Sequence, residues 1–208
     1  MMRLVDMLFP PRVDEIALRN VLIDDFLALV TPQIIPETRP ETVVLLPFNS
    51  PSVRAAIHEA KYHGNVRAFK LLARVLAEYL RDADDIPRTS FIISVPLSKK
   101  RHKERGFNQV EEVAHYALRN LGEEEARAFI LESTLLDRTR ETTSQVSLPR
   151  HDREENMRGA FRAIRPVDPS YTYIVLDDVV TTGATLQAAV DALRGAGAEH
   201  IIPLALAH

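Results

Sequence analysis

Two carboxylates stand side by side in the stretch YIVLDDVVTTGATL, at Asp177 and Asp178, directly after the apolar run Ile174, Val175 and Leu176. Thr181, Thr182, Gly183, Ala184 and Thr185 follow, and then an apolar helical pattern begins. A loop that leads from the carboxyl end of a strand into a helix exposes backbone N–H groups. The helix dipole adds partial positive charge there, so such loops bind phosphate. Threonine hydroxyls donate to phosphate oxygens, and Gly183 lets the main chain approach closely. Two acids beside a phosphate would repel it unless the ligand also brings hydroxyls to grip or a divalent cation. A phosphorylated ribose with magnesium brings both. The plainer alternative is an Asp pair that caps the helix, with threonines that satisfy turn donors.

A second charged stretch, LSKKRHKERGFN, follows the strand-like FIISVP that Pro96 ends. Lys99, Lys100, Arg101, Lys103 and Arg105 are dense for a chain whose net charge is −3. A basic run is most often a solvated face. This one comes after the carboxyl end of a strand, where open α/β sheets bind ligands, and it suits a pyrophosphate.

The elements that must position these residues read as follows. Residues 14–30 carry Leu18, Leu22, Phe26, Leu29 and Val30 at helical spacing. The three prolines of 31–40 predict a linker with no regular element. Residues 42–48 read as a strand, and Ser50-Pro51 as the start of a helix with Val53, Ala56, Ile57 and Ala60 on one face. A second helix spans about 66–81 and a third begins at Asn108, whose spacing to Glu111 is that of a capping box. Residues 97–108 read as a basic turn, 128–133 as a strand, and 135–161 as a long polar segment of the kind that is functional or mobile. The last third predicts a strand at 171–176, a loop at 177–183, a helix at 184–194 and a final strand from His200. Strand–helix–strand at this length implies a parallel pair, and the alternation from residue 42 onward implies an α/β sheet with helices on both faces.

Composition bounds the rest. With 208 residues, 46% of them apolar, the chain supports one sizeable core. We expect residues 1–45 to form an N-terminal helical segment with a Pro-rich linker, and 46–208 the main domain. There is no cysteine, which excludes disulfides, cysteine zinc sites and thiol catalysis. No apolar run approaches the ~20 residues of a membrane span, and no secretory signal is evident, so a cytoplasmic location is expected. The acidic balance gives no global field for nucleic acid. His58 and His63 flank a helix end without further ligands at metal spacing and read as surface or structural. There is no Walker loop, no full dinucleotide fingerprint and no serine elbow.

The order and spacing of IVLDDVVTTGATL resemble the phosphoribosyl-pyrophosphate (PRPP) motif of type I phosphoribosyltransferases. Ser94-Val95-Pro96-Leu97 and Arg105-Gly106-Phe107-Asn108-Gln109 resemble two elements of the ComF-type members, as does Lys61-Tyr62 with Gly64. Arg138, Thr142, Gln145, Leu148, Arg153, Asn156, Ala160 and Phe161 extend that likeness. The resemblance covers about residues 48–208 and implies a type I phosphoribosyltransferase fold with a small hood and a loop that closes over the ligand.

It further implies that Asp177 and Asp178 hold the ribose hydroxyls near a magnesium ion, and that Val179, Val180, Thr181, Thr182, Gly183, Ala184 and Thr185 wrap the 5′-phosphate. The turn of Pro96, Leu97, Ser98, Lys99, Lys100 and Arg105 would meet the pyrophosphate, and Arg138 would act from the closing loop. The reaction implied is transfer of a phosphoribosyl group from PRPP to a nitrogenous acceptor. The other reading is a PRPP- or nucleotide-binding accessory protein linked to DNA uptake. A homodimer and a nucleic-acid partner stay open. Many ComF-type proteins begin with a cysteine-rich zinc ribbon, and a chain without cysteine does not carry that element over.

Overall fold

The computed structural model describes residues 12–36, 38, 40–83, 86, 89–139 and 156–208. Helices α1 (Val13–Arg19) and α2 (Ile23–Leu27) precede strands β1 (Gln33–Ile35) and β2 (Thr42–Leu46). Helices α3 (Pro51–His63) and α4 (Val66–Asp82) lead to β3 (Ser90–Ser94). Next come α5 (Lys99–Arg105), α6 (Gln109–Asn120), α7 (Glu123–Ala126) and β4 (Phe129–Leu131). A ribbon of β5 (Leu136–Arg138) and β6 (Phe161–Ala163) precedes β7 (Thr172–Val179), α8 (Ala184–Gly195) and β8 (His200–Ala207).

The main sheet has the order β1-β2-β8-β7-β3-β4, and only β1 runs antiparallel to its neighbour. This is the mixed, mostly parallel α/β sheet that the alternation of elements implied. The buried runs of β7 and β8 fit a sheet covered on both faces. Alternate residues feed two cores. Ile92, Ile174 and Leu176 pack with α3, α4 and α6, whereas Ile93, Tyr173 and Val175 pack with α8 and the β5–β6 ribbon. Strand β7 therefore lies between β8, reached through α8 on one face, and β3, whose following helix α6 covers the other. The crevice beyond the carboxyl ends at such a reversal is where sheets of this kind bind ligands.

Four local expectations are corrected. The helix expected over 14–30 is two helices, broken between Asn20 and Leu22. Arg67 from α4 closes the break, its Nε donating to the Leu18 carbonyl and its Nη2 to that of Val21, each at 2.7 Å. The Pro-rich linker contains β1, in register with Thr42–Val44 of β2. Prolines are tolerated beside an edge strand, and the Thr38 hydroxyl, at 2.8 Å from the Ile35 carbonyl and 2.9 Å from that of Pro40, supports the turn after it. The basic turn is the helix α5, opened by Ser98, whose hydroxyl accepts from the Arg101 amide at 3.3 Å. Finally, β7 runs three residues past its expected end, because Asp177 and Val179 pair with Ala205 and Ala207 of β8. The two acids belong to the strand itself.

Leu18 and Phe26, each 1% exposed, lie in the same core as α3 and α4. Among the described residues, no helix is long and apolar enough to cross a membrane.

Candidate functional site

Because side chains alternate along a strand, neighbours in sequence point to opposite faces. Leu176 belongs to the α3–α4–α6 core and Val175 to the α8 core. Asp178 accordingly meets α3 and α6, while Asp177 lies toward the loop that opens α8. The like charges straddle the strand tip, and both line one cleft of about 760 Å³. That volume is in the range of small-molecule sites.

Asp178 is almost fully buried and held from every side by donors. Lys61 Nζ stands 3.0 Å from its Oδ2, Gln109 Nε2 donates to that oxygen at 2.6 Å, and the Val179 amide donates to Oδ1 at 2.7 Å. Burial alone would raise this carboxyl, yet the charge and hydrogen bond of Lys61, with those from Gln109 and Val179, keep it below the usual carboxylate range. Asp177 is different. Burial and then the charge of Asp178 push it up to about 7, against weaker help from the Asp178 amide, Lys61 and Arg138. The Asp178 amide donates to its Oδ1 at 2.8 Å. One acid is compensated and the other is poised to gain a cation or a hydroxyl donor.

The wall opposite comes from the β3 end and α5–α6. Asn108 fixes it, its side chain donating to the Val95 carbonyl at 3.0 Å and accepting from the Val110 amide at 3.1 Å. Arg105 Nη1 donates to Gln109 Oε1 at 2.9 Å and its guanidinium lies 5.1 Å from the centre of the Tyr62 ring. Accepting from Arg105 orients the Gln109 amide to donate to Asp178. Burial lowers Arg105, with the Asp178 charge acting the other way. Gly64, at φ 57°, ends α3 where a Cβ would come within 3.2 Å of Phe107. The Lys61-Tyr62-x-Gly64 element thus turns the chain while placing Lys61 on Asp178.

The third wall is the loop from 179 to 186. Gly183 adopts φ 82° at the N-terminus of α8, a backbone state suited to glycine. Thr182 Oγ1 accepts from the Ala184 amide at 3.4 Å. Asp177 and residues 179–186 line a second hollow of about 20 Å³, room for one water-sized group.

Most of the expected site residues come together here. Asp177, Asp178, Arg138, Pro96, Leu97, Arg105, Val179, Thr181 and Thr185 line the cleft. Val180, Thr182, Gly183 and Ala184 line the smaller hollow. Ser98, Lys99 and Lys100 do not line either one; Ser98 caps α5 and the two lysines are exposed. Helical phase explains this, since α5 offers the cleft Arg101, Glu104 and Arg105 instead. Thr142, Gln145, Leu148 and Arg153 of the expected closing loop lie outside the described residues.

Lys61 and Gln109 appear in the sequence motifs but had no role assigned from them. A signal existed. Lys61 falls four residues after Ile57 and eight after Val53, and Gln109 falls four before Val113 and eight before Ala117, so both are polar residues in phase with an apolar stripe. Phe48, Arg54, Ile57, His58, Tyr62, Val95 and Val110 also line the cleft.

Magnesium takes hard oxygen donors, often one or two carboxylates plus substrate oxygens. Asp177 fits that requirement, whereas the Asp178 oxygens are engaged by Lys61, Gln109 and the Val179 amide. His58, Glu59 and His63 bring ligand atoms within 4.8 Å of one another. Glu59 there accepts Arg12 at 2.8 and 2.7 Å and Asn65 at 2.9 Å, and His58 lies 2.9 Å from Asp14.

Compared with curated proteins, the chain is 33% identical over 140 residues to the DNA utilization protein YhgH of Salmonella typhi, covering 66% of this chain and 59% of that protein. YhgH of Escherichia coli K12 is also 33% identical over 140 residues, with the same coverage. Competence protein F of Haemophilus influenzae is 31% identical over 150 residues, 70% of this chain and 63% of that protein. These matches support a ComF-like relationship. The matched region spans about three-fifths of each relative's length. No protein-family model matches the chain.

Proposed function

We propose that the protein is a type I phosphoribosyltransferase-like enzyme that binds PRPP with magnesium and passes its phosphoribosyl group to a nitrogenous acceptor. One observation carries this reading: Asp177 and Asp178 lie among the last residues of a central parallel strand, beside a glycine-opened helix N-terminus, and line one cleft. The backbone amides and hydroxyls of the 179–185 loop would receive the 5′-phosphate, and the acids the ribose hydroxyls. Arg101 and Arg105 would face the pyrophosphate. Asp177 and the ligand's own oxygens would hold magnesium, which supplies charge neutralisation to the leaving group.

In the reaction the anomeric C–O bond breaks and its electron pair leaves with pyrophosphate. The acceptor nitrogen forms the new bond to the same carbon and later gives up a proton. The sugar ring becomes cationic on the way, and the Asp177–Asp178 charge favours it. Positioning supplies most of the remaining rate, since little covalent chemistry falls to the protein. Arg138, whose guanidinium lies 5.4 Å from the Phe161 ring centre, lines the cleft from the β5–β6 ribbon and would meet the same ligand.

A pyrophosphate-release assay with PRPP, magnesium and a panel of bases, amines and ammonia tests this. Release that requires an acceptor supports the enzyme, and no release with any acceptor despite PRPP binding makes the protein a binder.

The relatives' names, with DNA utilization and competence in them, favour a second reading in which the protein serves DNA uptake. The arginines of the cleft would then meet a nucleic-acid backbone. Competition between PRPP and a single-stranded oligonucleotide separates the two.

A further inference from the structure

The resting cleft already contains a cation seated on one member of its acid pair. Lys61, 23% exposed, reaches from the last turn of α3 to Asp178, whose side chain is 8% exposed. Its Nζ is 3.0 Å from Oδ2 and 3.3 Å from Oδ1, so it lies astride the carboxylate where a bound ion would sit. The other contacts on that carboxylate, from Gln109 and the Val179 amide, also present hydrogens. Lysine suits this place as a compact point charge on a flexible stem.

Two neighbouring carboxylates without a counter-charge would repel an incoming sugar phosphate. A resident ammonium offsets the Asp178 charge before any ligand arrives. We propose that Lys61 is the resident counter-cation of the acid pair, which lets a phosphorylated pentose dock on the acids without a divalent ion and leaves the metal requirement to the diphosphate. This inference rests on the phosphoribosyl reading of the cleft. It makes Lys61 a positioning residue that acts through Asp178.

The test uses ribose 5-phosphate, which has no diphosphate to chelate metal, so that any magnesium dependence of its binding arises at the acids. Calorimetric titrations are run in chelator and in magnesium, with PRPP plus magnesium in parallel. Wild-type affinity for ribose 5-phosphate should differ by less than about threefold between the two conditions, about half a decade. Lys61→Met should bind at least ~30-fold more weakly in chelator and recover most of that loss in magnesium, while Lys61→Arg stays near wild type.

A wild-type affinity that rises more than about tenfold with magnesium would overturn the inference. So would a Lys61→Met protein that matches wild type in chelator. The wild-type comparison decides even if Lys61→Met does not fold. Failure of wild type to bind PRPP under any condition removes the phosphoribosyl reading itself, and this inference with it. PRPP binding combined with steep magnesium dependence for ribose 5-phosphate removes only the role of Lys61.

Discussion

Helix α3 carries two buried charged contacts two residues apart, and they are built in opposite ways. At Glu59 the side chain is wholly buried, and Arg12 and Asn65 together satisfy both oxygens. The hydrogen bond from Arg12 is the main reason that this carboxyl is held below its ordinary range, burial acting against it. At Lys61 the cation reaches a pair of acids and compensates only one, leaving Asp177 raised. A carboxylate that staples a fold is fully paired. Asp177 is left in deficit beside the cleft, which makes it a candidate site residue.

Substitutions can break this contrast. Arg101→Ala and Arg105→Ala should each weaken PRPP binding by ~10–100-fold, the scale of a charge-assisted hydrogen bond, whereas Lys99→Ala and Lys100→Ala should change it less than about threefold. Calorimetry distinguishes the two pairs, and equal losses from all four would contradict the helical phase of α5. Glu59→Ala should lower unfolding free energy by about 2–3 kcal/mol in denaturant melts, less than for a fully buried pair because Arg12 is half in water, and leave PRPP affinity unchanged. Asn65→Ala removes the N-cap of α4, which accepts from the Arg67 amide, together with a donor to Glu59, and should cost about 1 kcal/mol.

The smallest effect is a pH dependence. The folded-state value of Glu59 is depressed, so its contribution is complete above the unfolded-state value of about 4.3 and disappears as pH falls through the lower folded value. The stability gap between wild type and Glu59→Gln should therefore be constant near neutrality and shrink below about pH 4. A gap that widens in acid would reverse the sign and refute the assignment.

The layout of strands and helices was legible because periodicity reports burial directly. The apolar runs of β7 and β8 and the stripes of α4 and α6 needed no tertiary information. What sequence reasoning lost was set by partners distant in the chain. The break after Arg19 depends on Arg67, and β1 exists because β2 offers it an edge. Asp177 and Asp178 were identified as chemistry-bearing, but their placement in a loop hid the alternation that sends them to opposite faces. Lys61 and Gln109 joined the cleft only when α3 and α6 met at Asp178, although their phase on apolar stripes was readable. The basic run drew attention to five cations, and the turn of a helix selected Arg101 and Arg105 from it.

The central claim is that the acid pair at the tip of β7 holds a phosphorylated ribose. Its most direct measurement is a calorimetric titration of PRPP with magnesium into wild type and into the folded Asp177→Asn/Asp178→Asn protein. Saturable one-to-one binding by wild type, weakened at least ~100-fold in the double variant, is expected. Equal affinity in the two proteins, or no binding by wild type, would contradict it.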